Sequence, residues 1–228
     1  MLHGYLPMIL DGLWTTLSVA AASLAIASLF GLVGAVAKLS ESRVARAAAD
    51  VYTTLIRSLP DLVLMLLIFY GGQILVNEIT MAWELDYIDI NPFVAGTATL
   101  GFIFGAYLTE TFRGAILAVP RGQIEAGLAY GMTFPKVLRR ILVPHMVRHA
   151  IPGFLNNWLV MVKATALVSI IGLDDMMHRA SLASAATREP FTFYAAIGAI
   201  YLTITTVSIL VLHLVERRFS LGVRRVDL

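Results

Sequence analysis

Gly12–Ala37, GLWTTLSVAAASLAIASLFGLVGAVA, runs for 26 residues without an Asp, Glu, Lys or Arg. Coiled as a helix it rises about 39 Å, more than a bilayer core of roughly 30 Å, and crosses with some tilt. No Lys or Arg precedes it, Asp11 stands at its start, and it far exceeds the roughly 7–15 apolar residues of a cleavable signal. The rest of the chain agrees: of 228 residues 58% are hydrophobic and 14% charged, and the mean hydropathy is +0.80. A soluble domain is about 45–50% apolar and about 25% charged. So apolar a chain has ample surface to bury and is not disordered. A net charge of only +2, with the bases in separate clusters, gives no footprint for nucleic acid. Without cysteine there is no disulfide, thiolate metal site or cysteine nucleophile.

Outward from this run, four more spans are expected in a single domain covering residues 1–228. The second covers about 55–76, joining Leu62–Val76 to the stretch before Pro60–Asp61. The third covers about 93–111 and is closed by Glu110; the fourth, about 151–173, contains Lys163; the fifth covers about 191–215. The expected fold class is therefore all-α integral membrane with five transmembrane helices. Fourteen of the 17 Lys and Arg fall in 38–57, 113–148 and 217–225, and two in the intervening outer segments. Cytoplasmic loops retain Lys and Arg, which puts the N-terminus outside and the C-terminus inside. The tail bases Arg217, Arg218, Arg224 and Arg225 suit an anchor at anionic headgroups. The odd span count without an internal repeat argues against a secondary transporter built from duplicated halves. No GxxxxGK[ST] occurs, so any ATP-driven work needs an ATPase on another polypeptide.

The longest basic loop, 113–149, reads RGAILAVPRGQIEAGLAYGMTFPKVLRRILVPHMVRH. Apolar residues interleaved with bases predict short amphipathic helices at the membrane face. Glu125 is expected to open one, and Gly131 to turn the chain. Pro135 is expected to start a second, Lys136–Leu142, ending at Pro144. Small Ala126, Gly127 and Ala129 admit a close neighbour, with Tyr130, Met132 and Phe134 as knobs. An interfacial helix resting on headgroups and a bracket docking a cytoplasmic partner fit these residues equally.

Glu125-Ala126-Gly127, then Gly131, then Ile141 and Pro144, resembles the "EAA" loop of ABC-importer permeases, with Gly127 for the second Ala and Val143 for Leu. Arg57-Ser58-Leu59-Pro60-Asp61, Ala106-Tyr107 with Glu110 and Arg113, and Lys163-Ala164-Thr165 also look like the polar-amino-acid branch. Within that branch the chain is similar to the Q-type subunits of histidine and lysine–arginine–ornithine importers. The resemblance implies the type I ABC importer permease fold in a bacterial inner membrane. It implies a non-catalytic subunit that binds no cofactor and pairs with a second, homologous permease subunit as a heterodimer. Two ATPase subunits, holding ATP and Mg, would sit beneath, and a periplasmic basic amino-acid binding protein would deliver substrate. Glu125–Pro144 would be the coupling helix set into the ATPase. The implied cargo is histidine, lysine, arginine and ornithine; other polar amino acids or opines are the alternative.

For the pathway, Glu110 suits either attraction of a cationic substrate or an i, i+3 pair with Arg113. Tyr107 lines the same path or packs a helix interface. Lys163 snorkels or bonds to backbone in the bundle, and Asn156 and Asn157 bond between helices or face substrate. Relatives carry Asp where Ala164 stands, so a carboxylate contact there does not carry over. Arg57, Pro60 and Asp61 mark a kink or a gating hinge, since Pro60 lacks a backbone donor and restricts Leu59. His145 and His149 are spaced i, i+4, but without the Glu of a zinc-protease helix they read as basic interfacial residues, with no metal site.

Overall fold

The computed structural model describes residues 2–219; Arg224 and Arg225 lie outside them. Among the described residues five helices are long and apolar enough to cross a membrane. They are α1 (Leu6–Leu39), α3 (Asp61–Ala82), α4 (Pro92–Leu117), a composite rod and α9 (Pro190–Phe219). Between α1 and α3 lies α2 (Arg43–Ser58), capped by Ser42, whose hydroxyl accepts from the Ala45 amide. The bracket begins with α5 (Arg121–Ala129). The rod then joins α6 (Phe134–Val137), a π turn at Leu138–Leu142, α7 (Val143–Ala164) and a 3₁₀ stretch, Thr165–Ile171. A last short helix, α8 (Met176–Thr187), precedes α9.

The helix bounds overrun the charge-free runs, because polar end residues are still hydrogen-bonded as helix. The second span starts at Asp61 rather than 55 and continues to Ala82. Leu59 is extended (φ −106°, ψ 148°) ahead of Pro60, which splits 55–58 off into α2. Pro144 does not end a helix. The π turn immediately before it places the ring in the first turn of α7, where a missing N–H costs nothing, and the helix continues.

The centre of the bundle is α1 against α4, running parallel. Gly101 abuts Ile26, Gly105 abuts Phe30, Gly31 abuts Leu108 and Gly34 abuts Thr109, each with no room for a Cβ. Small residues let the two backbones approach closely, which drives helix association where lipid is as apolar as the side chains. Ser23 adds an interhelical hydrogen bond, donating to the Thr97 carbonyl at 3.2 Å. Around this pair Leu100, Ile103, Phe104, Leu108 and Met161 are fully buried or nearly so. α7 runs antiparallel to α4, with Gly153 and Asn157 against Thr111, and Val168 of the following 3₁₀ stretch lies against Gly96. The Tyr52 hydroxyl donates to the Phe102 carbonyl at 2.6 Å and fastens α2 to α4.

At the end remote from the bracket, the loop after α3 folds back along that helix. Asn77 accepts from the Ile88 amide and donates to its carbonyl, while Gln73 accepts from the Ile90 amide and donates to the Ile88 carbonyl. There too α8 meets the start of α1. Gly12 touches the Asp175–Met176 backbone, and Arg179 donates to the Met8 carbonyl. Asp175 is fully buried. Its Oδ1 caps α8 by accepting from the His178 amide at 2.8 Å, and Oδ2 has no hydrogen-bond partner among the described residues.

Burial pushes the Asp175 carboxyl from 3.8 to about 6, despite the amides that favour its anion. The folded pKa lies above the unfolded one, so this group's contribution is intact below about pH 4 and is lost as pH rises through about 6. Asp175→Asn keeps a capping oxygen and removes the ionisation. Thermal unfolding of the detergent-extracted chain should show the variant gaining up to about 3 kcal/mol relative to the parent between pH 4 and 7.

Candidate functional site

The bracket is built by one helix reversal. α5 ends at Ala129, Tyr130 caps it, and Gly131 takes φ +77°, a conformation favourable only without a Cβ. The Gly131 amide donates to the Leu128 carbonyl and the Met132 amide to the Gly127 carbonyl. These are the two bonds of a Schellman motif, which satisfies the last carbonyls of α5. The chain then turns at Thr133 into α6. Gly127, buried, faces Ile141 across the reversal; a Cβ there would stand 2.7 Å from Ile141 Cδ1 and 3.2 Å from Val137 Cγ2. Gly127, Gly131 and Ile141 are thus one packing unit that folds α5 against the rod.

The other bracket residues divide by exposure. Tyr130 and Phe134 are 88% and 63% exposed, and Glu125 and Ala126 are exposed beside them. Met132 is half-buried, its sulfur turned toward Gly127. Glu125 stands within α5 rather than at its start; Pro120 precedes the helix and Arg121 opens it. The missing donor of Pro120 makes it a natural residue just before a first turn, which displaces the helix start upstream.

A second group of charges lies where α1, α2 and α4 meet. Glu110 accepts from Lys38 Nζ at 2.5 Å and from Arg113 Nε at 3.0 Å, and Lys38 also reaches Asp50 at 2.9 Å. Lys38 is only 9% exposed in its side chain, Asp50 is largely open. The Lys38 ammonium beside it holds the Asp50 carboxyl below its ordinary value. Glu110 is therefore committed to two cations on two helices. The pairing with Arg113 expected from its i, i+3 spacing is present, but Lys38 and Asp50, 72 and 60 residues away, carry no local signal.

Three of the candidates come together one turn higher on α4. Arg57 Cζ lies 5.6 Å from the Tyr107 ring centroid, and the Tyr107 hydroxyl lies beside the Asp61 carboxylate. The α2–α3 break at Pro60 thus sets a guanidinium over the face of one aromatic ring and a carboxylate at its hydroxyl. Asn157 donates to Thr111 Oγ1 at 3.2 Å and to the Gly153 carbonyl, an interhelical role. Asn156 is exposed. Among the described residues the Lys163 side chain forms no hydrogen bond to backbone in the bundle; it stands exposed in the last turn of α7.

Five apolar helices around a small-residue seam, with a bracket projecting between two of them, define a multi-pass membrane protein with an ordered projection at one end. Residues 27–221 match the family described as the binding-protein-dependent transport system inner membrane component. The chain is 56% identical over 228 residues, all of both chains, to the histidine/lysine/arginine/ornithine transport system permease protein HisQ of Salmonella typhimurium. It is 40% identical to the octopine transport system permease protein OccQ of Rhizobium meliloti, over 92% of this chain and 89% of that one. Among solved structures, an amino acid ABC transporter crystallised with histidines superposes with a TM-score of 0.80 at 33% identity, covering 94% of this chain and 95% of the other. The chain belongs to this permease family. It is a multi-pass protein of the bacterial inner membrane with the type I ABC importer permease fold.

Glu110→Gln should destabilise the bundle rather than retune a pathway, because it leaves a nearly buried ammonium with only one, exposed acid. We expect a loss of about 1–3 kcal/mol in thermal unfolding, partly recovered in Lys38→Met/Glu110→Gln; a double-mutant cycle measures it.

Proposed function

We propose that the chain is the Q-type membrane subunit of an ATP-driven importer for histidine, lysine, arginine and ornithine. The observation that carries this reading is identity across the whole length to the HisQ permeases, well above that to the opine permeases. It pairs with a second, homologous permease subunit in a heterodimer, and a periplasmic binding protein hands over a basic amino acid. Two ATPase subunits bind ATP and Mg beneath the pair. The N-terminus is outside, so the bracket and the Lys38–Glu110 cluster face the cytoplasm. That end holds most of the Lys and Arg, as cytoplasmic loops do.

In this reading the bracket does mechanical work. Tyr130 and Phe134, with Glu125 and Ala126, form the face that seats in the ATPase. The Gly127–Ile141 contact passes displacement of α5 into the rod that becomes a span. ATP binding and substrate delivery drive transport only if each favours a different arrangement of the helices. The Arg57–Tyr107–Asp61 group, at the break between α2 and α3, is the natural place for such a change to be felt. Two helix ends meet a third helix there through charge and ring contacts rather than interlocked backbone.

Uptake of labelled histidine by cells lacking their own basic amino-acid importers tests the substrate assignment, with arginine, glutamate and octopine as competitors. Histidine uptake blocked by arginine and untouched by octopine is expected; the reverse pattern would reassign the cargo to opines. Gly131→Val forces a β-branched residue into left-handed backbone and should cut uptake by about tenfold or more. Recovery of the ATPase in pull-downs from detergent extracts should fall, while the amount of inserted chain stays near normal. Full recovery with normal uptake would remove the bracket from the mechanism.

A further inference from the structure

The rod from Phe134 to Ile171 carries two unlike depressions along one side. At its start, Pro135, Lys136, Arg139 and Arg140 line a cavity of about 480 Å³. Further along, Met146, Val147, Ala150, Ile151, Phe154 and Leu155 line an apolar groove of about 430 Å³, closed by side chains of α1 and α4. The spacing joins them. Residues 135/136, 139/140, 146/147, 150/151 and 154/155 are adjacent pairs that recur every one to two turns, and the π turn between them shifts the bases by roughly a quarter turn at most, so basic cavity and apolar groove keep to one side of the rod. The bases are uncommitted: among the described residues none of Lys136, Arg139 and Arg140 forms an ion pair.

Dimensions and chemistry select the occupant. Arg140 and Met146 are separated by about 9 Å of helix rise, and the groove from Met146 to Leu155 extends about 14 Å further. A ligand that fits both must hold a negative charge at one end and a hydrocarbon chain beginning several ångströms away. The groove lies on a membrane-spanning helix, where the surrounding solvent is lipid. Basic clusters at the headgroup level beside gaps between spans are the setting in which acidic lipids are held selectively. We propose that this stripe is a binding site for an anionic phospholipid, its phosphate held by Lys136, Arg139 and Arg140 and one acyl chain in the groove. The site does not depend on which substrate the protein carries.

The test reads lipid retention, so its outcome is separate from any transport result. The full chain, with whatever subunits co-purify, is reconstituted into phosphatidylcholine vesicles containing phosphatidylglycerol as a minor component. It is then re-extracted in mild detergent, and retained lipid is quantified by mass spectrometry. Phosphatidylglycerol should be enriched over phosphatidylcholine. Arg139→Gln with Arg140→Gln should reduce that enrichment by about tenfold or more, at about fivefold per base. Val147→Trp, which fills the groove mouth at an exposed position and leaves the charge unchanged, should also reduce it, while Arg148→Gln, off the stripe, should not. Free glycerol 3-phosphate should fail to displace the lipid. Absence of enrichment, or enrichment that survives both the paired Arg variant and Val147→Trp, overturns the proposal. So does displacement by free glycerol 3-phosphate, which would mark a soluble-phosphate site. Capture of protein rather than lipid by a photo-crosslinker at Val147 would make the stripe a subunit interface, and likewise overturns it.

Discussion

Everything in this bundle is hung on the close approach of α1 and α4. Gly31 and Gly34 on one helix, Gly101 and Gly105 on the other, meet side chains at distances that exclude a Cβ. In a bilayer no hydrophobic force presses two apolar helices together, so dispersion over a tight backbone contact supplies the attraction. Once the pair is fixed, α7 finds α4 through Gly153 and Asn157, α2 finds it through Tyr52, and α8 finds α1 through Gly12. Each of these secondary contacts also uses a glycine or a polar side chain. Packing and hydrogen bonding therefore specify a bundle whose hydropathy alone would permit many arrangements.

Charges are placed with equal economy. Glu110 is reached by cations from α1 and from its own helix, and Lys38 in turn by Asp50 of α2. An ionisable residue at the end of a span is costly alone and tolerable when its lone pairs are filled. The cluster thus locks three helices at one level, next to the bracket. Arg57, Tyr107 and Asp61 form the complementary arrangement, joined across the break between two helices and less tightly committed. One group secures the helices; the other sits where their relative motion would alter its contacts.

What could be read in advance follows from the range of the forces. The apolar runs, the bracket's glycines and the Glu110–Arg113 pair depend on neighbours within a few residues, and the sequence displays them. Gly127 is expected only to admit a close neighbour; that the neighbour is Ile141 of the same chain is not displayed by any local pattern. The Lys38 partner of Glu110, the Tyr52–Phe102 bond and buried Asp175 depend on helices brought together from far along the chain, and no local pattern marks them. Errors at helix ends have a local cause of another kind. Pro60 and Pro144 carry the same chemistry, yet one follows an extended residue and breaks a helix while the other follows a π turn and is absorbed. Backbone geometry, not residue type, decides between them.

That π turn, Leu138–Leu142, has a geometric corollary. It holds one residue more than an α-helix of the same rise, and this surplus sets the azimuth of α6 about the axis of α7. Rewinding these five residues as ordinary α-helix, with none removed, would swing everything upstream through roughly a quarter turn. Tyr130 and Phe134 would then be presented to a different quadrant, and the Gly127–Ile141 contact, one side of which lies in this turn, would have to form again. The orientation of the projecting face is thus encoded in the winding of five residues, one of which, Ile141, also packs against Gly127.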